Sequence, residues 1–301
     1  MEAVRFHIIP GNSTWCSKTQ LGSQKSLFQH VTKDLLPSYP LADANAVYHS
    51  ACLIDAFALF RPNWRQLRRI EAEVLHQLAH VDSRLPIMVN SLRCHGFPHP
   101  QAQYAFPTLW KEANRGGRFY RVCGEHHSRI PLRRSIYMPY FDTWFHRHSP
   151  LSNTRDRVVV FPGSLFSRRR KAVANAVRKT QGGEVVEYKR RTHRTVDLTR
   201  YEFVACAAGD APESPRIMQA IVYGAIPLVE DSMYRFRFFD WDKISVPLRI
   251  DASGKLRLPS AQVRDDIRNS LADANQSFFN MSKWRSYVVE SWRSALSYSD
   301  H

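Results

Sequence analysis

Residues Tyr201–Asp231, YEFVACAAGDAPESPRIMQAIVYGAIPLVED, decide the fold of this chain. An apolar run of strand length leads into a Gly-Asp turn, then into a helix that begins with Pro and ends before Gly-Ala-Ile-Pro, and a second apolar run follows. That order predicts a βαβ unit of a parallel sheet in an α/β protein. It also places Ser214, Arg216 and unpaired backbone N–H groups at a helix N-terminus, where a phosphate is favoured. The segment therefore predicts half of a nucleotide-binding domain.

The stretch from 209 to 229, GDAPESPRIMQAIVYGAIPLV, resembles the signature of the exostosin-like glycosyltransferases, glycosyltransferase family 47. The matching positions are Gly209, Asp210, Ser214, Arg216, Ala220, Ile221, Gly224, Ile226 and Pro227. Three positions differ: Ala211 replaces a hydroxyl residue, Ala225 replaces a cysteine, and Gln219 replaces a carboxylate that the family uses for the ribose hydroxyls. A glutamine amide can still pair with a diol, but it lacks the charge.

Four other segments resemble the family in the same order along the chain. They are Leu41–Ser50, Leu109–Val122 (without the family's Asp-His pair), Arg134–Trp144 and Val158–Arg170. The resemblance implies an α/β chain with two Rossmann-like domains facing across a cleft, the B-type glycosyltransferase fold. Residues 1–150 are expected to form an N-terminal acceptor-binding domain, and residues 151–301 a C-terminal nucleotide-sugar-binding domain with closing C-terminal helices.

Hydrophobic periodicity gives the same alternation of strands and helices. The expected strands are Val4–Ile9, Ala46–Tyr48, Leu85–Val89, Phe119–Val122, Ile136–Met138, Val158–Phe161, Val185–Tyr188, Phe203–Ala207 and Ile226–Val229. The expected helices are Ser26–Leu36, Asn63–Ala79, Ser167–Lys179, one that begins near Arg216, and a C-terminal stretch over Ala261–Leu296. A Pro-broken loop is expected over Cys94–Gln103, and the domain boundary in the polar segment Phe145–Arg157.

Composition supports a globular enzyme, because the 301 residues are 44% hydrophobic and 12% aromatic. No apolar run reaches the ~20 residues that a membrane span needs, and the N-terminus lacks a signal-peptide core. As written, the chain is expected in the cytoplasm, or in the Golgi lumen if an N-terminal anchor has been removed. The five cysteines are scattered without metal-binding spacing, which favours free buried thiols.

The net charge of +16 implies an anionic partner. Basic residues cluster at Arg168–Lys171 and at Lys189–Arg191 with His193 and Arg194, and each cluster is either a solvated face or a ligand site. A nucleic-acid-binding protein is therefore an alternative, although no zinc-finger, RNP or helix-turn-helix pattern lies nearby. A catalytically inactive relative that binds glycan or nucleotide is another alternative, because Gln219 and Ala211 differ from the residues that the family carries at these positions.

The resemblance implies an inverting, metal-independent transfer of a sugar from a nucleoside diphosphate donor, expected to be a UDP-sugar, onto a glycan acceptor. Arg216, Ser214 and Arg168 would hold the diphosphate, and Gln219 the ribose. The expected donor-site residues are Gly163, Arg168, Gly209, Asp210, Ser214, Pro215, Arg216 and Gln219. No cofactor beyond the donor is expected.

The expected general base lies in the first domain, just after a strand. Glu125 and His126 are the preferred candidates, because the strand before them should end at the cleft. His127, His49 and Asp142 are alternatives. Asp240-Trp-Asp242 has the spacing of a metal-binding Asp-x-Asp, but it matches an acidic, aromatic segment that follows the donor site in the family. The transferred sugar, the acceptor and the linkage stay open.

Overall fold

The computed structural model describes residues 3–11, 36–50, 53, 63–90, 106–114, 118–123, 135–137, 155–188, 196–208, 215–233 and 238–297. The chain divides into two compact units, Met1–Thr143 with Met281–His301, and Trp144–Asn280. Among the described residues, each unit holds a five-stranded sheet in which every pairing is parallel. The class is therefore α/β, as predicted.

The bounds of the expected elements that fall on described residues lie close to those predicted, whereas the helices Pro107–Asn114 and Trp241–Ile244 and the strand Val246–Pro247 were not predicted. The strands are β1 (Phe6–Ile9), β2 (Ala46–His49), β3 (Ile87–Asn90), β4 (Phe119–Cys123), β5 (Ser135–Tyr137), β6 (Arg157–Gly163), β7 (Gly183–Glu187), β8 (Tyr201–Cys206), β9 (Ile226–Val229) and β10 (Val246–Pro247). The helices are α1 (Trp64–Leu78), α2 (Pro107–Asn114), α3 (Arg168–Lys179), α4 (Pro215–Val222), α5 (Trp241–Ile244), α6 (Ala261–Phe278) and α7 (Met281–Ser297). The expected helix Ser26–Leu36 and the loop Cys94–Gln103 lie outside the described residues, apart from Leu36, and so does most of the expected boundary segment.

In the first unit the strands lie in chain order, β1-β2-β3-β4-β5. Helix α1 begins after Asn63, whose side chain accepts a hydrogen bond from the Gln66 amide at 3.1 Å. Its apolar side chains recur at helical spacing and form a core with alternate residues of the strands. The helix residues of that core are Leu67, Ile70, Val74 and Leu78, all buried. This face of the sheet is therefore covered by α1, as its periodicity predicted.

The last helix, α7, belongs to the first unit. Its Trp292 is fully buried, with ring centroids 5.6 Å from Phe6 in β1 and 4.8 Å from Tyr120 in β4. Those aromatic contacts hold α7 against the first sheet. The sequence analysis placed both C-terminal helices with the second domain, and for α7 that assignment was wrong. The stretch expected as one helical region also breaks at Phe279 and Asn280, between α6 and α7.

In the second unit the strand order is β10-β9-β8-β6-β7. Strands β8 and β9 are buried at every position, as parallel strands covered on both faces must be. Helix α3 packs on β6 and β7, α4 on β8 and β9, and α6 on α4 and β9. Within the part of the chain that the structure describes, no helix combines the length and the hydropathy that a membrane crossing needs.

Gly224 allows the chain to turn from the end of α4 into β9. Its φ of 67° lies in the left-handed region that favours glycine. The Ala225 amide donates to the Ala220 carbonyl at 2.9 Å, and the Gly224 amide to Ile221 at 3.1 Å, which is a Schellman motif. The helix therefore ends where the sequence predicted and delivers the chain directly into β9.

Candidate functional site

The order of strands in the second sheet fixes where a ligand can bind. The chain runs from β6 outward to β7, then returns to place β8 on the other side of β6. The connections after β6 and β8 therefore leave the sheet in opposite directions, which opens a crevice between their carboxyl ends. Gly163 ends β6 and Cys206 ends β8, so the residues that follow them line this switch point.

Three consecutive arginines at the start of α3 have different surroundings. Arg168 is exposed and has neither a hydrogen-bond nor an ion-pair partner in the described part of the chain. Arg169 donates from Nε to Glu230 Oε1 at 2.6 Å. Arg170 is buried, with 8% of its surface exposed. Arg169 is also exposed but is paired, so among the described contacts Arg168 is the exposed arginine of the three that is left for an anion at the helix N-terminus, where an anion is favoured.

Arg170 joins the two sides of the switch point. Its Nε donates to the Ser164 carbonyl at 2.7 Å, and its Nη1 donates to the carbonyls of Ala207 and Ala208 at 3.1 and 3.3 Å. Its guanidinium also lies over the ring of Phe161, 5.2 Å from the centroid. These contacts fix the spacing between the loop after β6 and the loop after β8.

Gly163 has a packing role in this arrangement. A Cβ built at this position would lie 2.1 Å from Nη2 of Arg170 and 3.3 Å from its Cζ. Because that space is filled by the guanidinium, a side chain at 163 would displace Arg170. The structure thus gives a reason for glycine here that is independent of the expected contact with a nucleotide.

Glu230 ties the loop after β8 to α3. It directly follows β9 and is buried, with 5% of its surface exposed. One carboxylate oxygen accepts from Arg169, and the other accepts from the Ala208 amide at 2.9 Å. Ala208 is therefore bonded through its N–H to Glu230 and through its C=O to Arg170. The first residue of this loop is held from two sides.

Arg216 lies in the first turn of α4, as predicted, and forms a cluster with two other side chains. Its Nη1 donates to Oε1 of Gln219, and its guanidinium lies 4.7 Å from the ring centroid of Tyr188. Burial raises the pKa of the Tyr188 hydroxyl, and the Arg216 charge opposes that shift. With its oxygen on Arg216, Gln219 presents its amide group as a donor. We name Tyr188, Arg216 and Gln219 the α4 cluster.

Cys206 shows that the cationic side chains converge on one edge of the sheet. Burial raises the pKa of its thiol, and the charges of Arg216 and Arg170 act in the opposite direction. Arg216 comes from α4 and Arg170 from α3, so both guanidinium groups lie near the end of β8. The buried Glu230 carboxylate acts on the same thiol in the opposite sense to the two arginines, but it is paired with Arg169, so the balance of charge at the switch point is positive, as an anionic ligand requires.

Several expected site residues lie outside the described residues: Glu125, His126, Gly209, Asp210 and Ser214. Pro215 begins α4, as expected. Among the alternative bases, His49 is fully buried and its Nε2 bonds Gln77 Oε1 at 2.8 Å. That burial argues against proton exchange with a dissolved acceptor. Asp240 pairs with Lys243 at 3.0 Å, and the described residues hold no cluster of three metal-binding side chains.

Sequence reasoning missed four residues of this edge: Tyr188, Arg169, Arg170 and Glu230. For Arg170 a signal existed, because it lies three and seven residues before the apolar Val173 and Val177 and so shares their buried helix face. Nothing in the sequence links Arg169 to Glu230, which lies 61 residues further along the chain.

The fold, with its two Rossmann-like units, is similar to that of a solved glycosyltransferase. A crystal structure of a glycosyltransferase from Rickettsia africae ESF-5 aligns over 97% of this chain and 98% of its own, with a TM-score of 0.50 and 6% sequence identity. A Staphylococcus aureus TarM mutant, solved with fondaparinux, α-GlcNAc-glycerol and UDP, aligns over 84% of this chain and 54% of its own, with a TM-score of 0.35 and 8% identity. No protein-family model and no curated protein sequence matches the chain.

Proposed function

We propose that this protein is an exostosin-like glycosyltransferase that transfers a sugar from a UDP-sugar to a glycan acceptor. The observation that carries the proposal is the cationic edge at the switch point, where the charges of Arg216 and the buried Arg170 act on Cys206 at the end of β8 and Arg168 begins the helix that follows β6. A parallel sheet of this strand order binds its ligand at that point. A nucleoside diphosphate supplies the two phosphates that such an edge favours.

In this proposal Arg216 and Arg168 bind the diphosphate. A guanidinium carries five donors in a planar fork, so the bond from Arg216 Nη1 to Gln219 is compatible with a bidentate contact to a phosphate. Stacking on Tyr188 restricts the Arg216 side chain before the ligand arrives, which reduces the entropy lost on binding. Arg168 begins α3 and is exposed, so it approaches from the other side of the switch point.

In this proposal Gln219 binds the ribose hydroxyls. Its amide group donates, whereas the carboxylate that the family carries here accepts. The diol must therefore accept from Gln219 rather than donate to it, and the charge-assisted part of the interaction is lost. We expect weaker donor binding than a glutamate would give, and Gln219→Glu to strengthen it.

The reaction is a displacement at the anomeric carbon. An acceptor hydroxyl oxygen forms a bond to that carbon while the bond to the diphosphate oxygen breaks, and the hydroxyl proton passes to a base, for which Glu125 or His126 is proposed. Negative charge grows on the leaving diphosphate, and fixed donors stabilise it. The acceptor oxygen is proposed to attack in one step from the face opposite the leaving diphosphate, which inverts the anomeric centre. The proposed donors to the diphosphate are the guanidinium groups and the N-terminus of α4, so the transfer is proposed to need no metal.

A thermal-shift panel of UDP, GDP and CDP in EDTA tests the donor assignment. At ~100 times its dissociation constant a ligand stabilises the protein by about 2.7 kcal/mol, which raises Tm by several degrees. UDP is expected to give the largest shift, and Arg216→Ala to abolish it. The matched control is Arg178→Ala, which removes an exposed cation from α3 that bonds only Asn175 among the described residues. Equal shifts with UDP in both variants would refute the assignment.

Two other outcomes distinguish the alternatives. UDP binding without sugar transfer to any glycan would support an inactive relative, for which Gln219 is the favouring observation. Stabilisation by oligonucleotides but by none of the three nucleotides would support a nucleic-acid-binding protein, with a steep loss of affinity as salt is raised.

A further inference from the structure

The exposed face of α1, in the first unit, carries three arginines in its first two turns. The exposed residues of this helix, together with the two residues that follow it, are Arg65, Arg68, Arg69, Ala72, His76, Ala79 and His80. They recur at helical spacing, so they form one stripe on a rod about 22 Å long. No acidic residue lies in the stripe, which we name the α1 stripe.

The acidic side chains of α1 are turned away from the stripe. Glu71 is buried, and its Oε1 accepts from the amides of Thr108 and Leu109 at 2.7 and 2.9 Å. Glu73 is half-buried, and its charge acts on the buried His49. Neither carboxylate forms an ion pair with Arg65, Arg68 or Arg69 in the part of the chain that the structure describes.

The three arginines of the stripe have no hydrogen-bond or ion-pair partner within the described ranges of the chain. The charge of Arg68 helps to lower the pKa of Glu71, against a larger upward shift from burial. All three arginines lie in the first two turns of α1, where the helix dipole disfavours cations. Arg65 also lies three and four residues before Arg68 and Arg69, a spacing at which like charges repel. The fold thus holds a repulsive charge arrangement that an external anion would relieve.

The shape of this face selects the kind of anion. A helix surface is convex, so it cannot enclose a small ligand, whereas a planar array of negative charge can contact all three guanidinium groups at once. The exposed positions of α1 hold no Phe, Tyr or Trp, and the two exposed histidine rings, His76 and His80, form a T-shaped pair with centroids 6.1 Å apart instead of a row of faces on which successive bases could stack. We propose that the α1 stripe binds the anionic phospholipid head groups of a membrane surface.

The contact is electrostatic and peripheral. The apolar side of α1, including Leu67, Ile70 and Val74, is already buried in the core of the first unit and cannot enter the lipid. Binding therefore depends on the surface charge of the vesicle and falls as ionic strength rises. This proposal is independent of nucleotide binding in the second unit.

Cosedimentation of the full chain with vesicles tests the proposal. Wild type is expected to bind vesicles of phosphatidylcholine mixed with phosphatidylserine and not vesicles of phosphatidylcholine alone. The combined variant Arg65→Ala, Arg68→Ala, Arg69→Ala is expected to bind about 100-fold more weakly. The matched control neutralises three exposed cations of the second unit, Lys179→Ala, Lys255→Ala and Arg257→Ala, and is expected to bind as wild type does.

A variant with lysine at all three positions keeps the charge and is expected to retain binding, which guards against a loss that reflects misfolding. The proposal is overturned if wild type ignores anionic vesicles, or if the control weakens binding as much as the alanine variant. It is also overturned if a single-stranded oligonucleotide binds through the same arginines while vesicles do not compete.

Discussion

The contact between Gly163 and Arg170 predicts a strong coupling between two substitutions. In Gly163→Ala the new methyl group would lie 2.1 Å from Nη2 of Arg170, so the guanidinium must move. Movement breaks bonds to the carbonyls of Ser164, Ala207 and Ala208. A bond from a charged donor contributes about 1.5–3 kcal/mol, and losing one or two of the three should destabilise the protein by about 2–4 kcal/mol.

The same substitution should be harmless once the arginine is gone. Gly163 has no positive φ, so alanine fits its backbone. In an Arg170→Ala background the nearest remaining atom is Cζ of Phe161, at an ordinary contact distance of 3.4 Å. Gly163→Ala should then be neutral, or stabilising by about 0.4–1 kcal/mol because alanine stiffens the unfolded chain.

Urea unfolding of the four proteins gives the coupling free energy, and hydrogen exchange of the β6 and β8 amides assigns it to the second sheet. We expect a coupling of about 2 kcal/mol or more. An equal loss of stability in both backgrounds would refute the reasoning. Unchanged stability with lost UDP binding would instead mean that Gly163 serves the approach of the nucleotide.

Three further predictions concern the first unit. Tyr48→Phe should leave the free energy of unfolding unchanged or raise it by about 1 kcal/mol, because the buried Tyr48 hydroxyl has no hydrogen-bond partner among the described residues; a clear loss of Tm would contradict this. Glu71→Ala should lower the free energy of unfolding by about 2–3 kcal/mol, measured in urea, because the amides of Thr108 and Leu109 lose their acceptor. Burial lowers the pKa of His49 below 6.5, so the stability that its neutral form contributes is present above pH 6.5 and is lost as the pH falls through its folded pKa. His49→Gln should therefore flatten that part of the curve of unfolding free energy against pH. An unchanged curve would count against the assignment.

The strands were predictable because each is a short apolar run that the sheet buries on both faces. In β8 and β9 all positions are buried, so their hydrophobicity was continuous and their bounds were found to within two residues. The end of α4 was predictable because Gly224 adopts a conformation that other residues resist. These signals are local, and a single sequence carries them.

The burial and the contacts of the three arginines of α3 were only partly predictable. They are identical in charge, and the helix turns each one by about 100° relative to the last, so Arg170 faces the sheet while Arg168 faces solvent. The apolar spacing with Val173 marked the inward position, but a charged residue was expected outside. The bond from Arg169 to Glu230 depends on packing between α3 and the end of β9, which no local pattern specifies.

The assignment of α7 could not be made from sequence. The stripe containing Trp284, Val288 and Trp292 shows that one face of the helix is covered, but it does not identify the surface that covers it. Contacts with Phe6 and Tyr120, more than 170 residues earlier, made it part of the first unit. Domains that are assigned from consecutive stretches of sequence are therefore wrong wherever a C-terminal helix packs against the N-terminal unit.

Hydrogen exchange in the presence of UDP, with uridine as the matched ligand that lacks the diphosphate, tests the central claim most directly. We predict that UDP, in EDTA, slows exchange of the amides at 163–168, 207–208 and 216–219, which lie at the switch point, and that uridine does not protect the N-terminal amides of α3 and α4. Protection confined to another part of the chain, or protection that requires a divalent metal, would contradict the account.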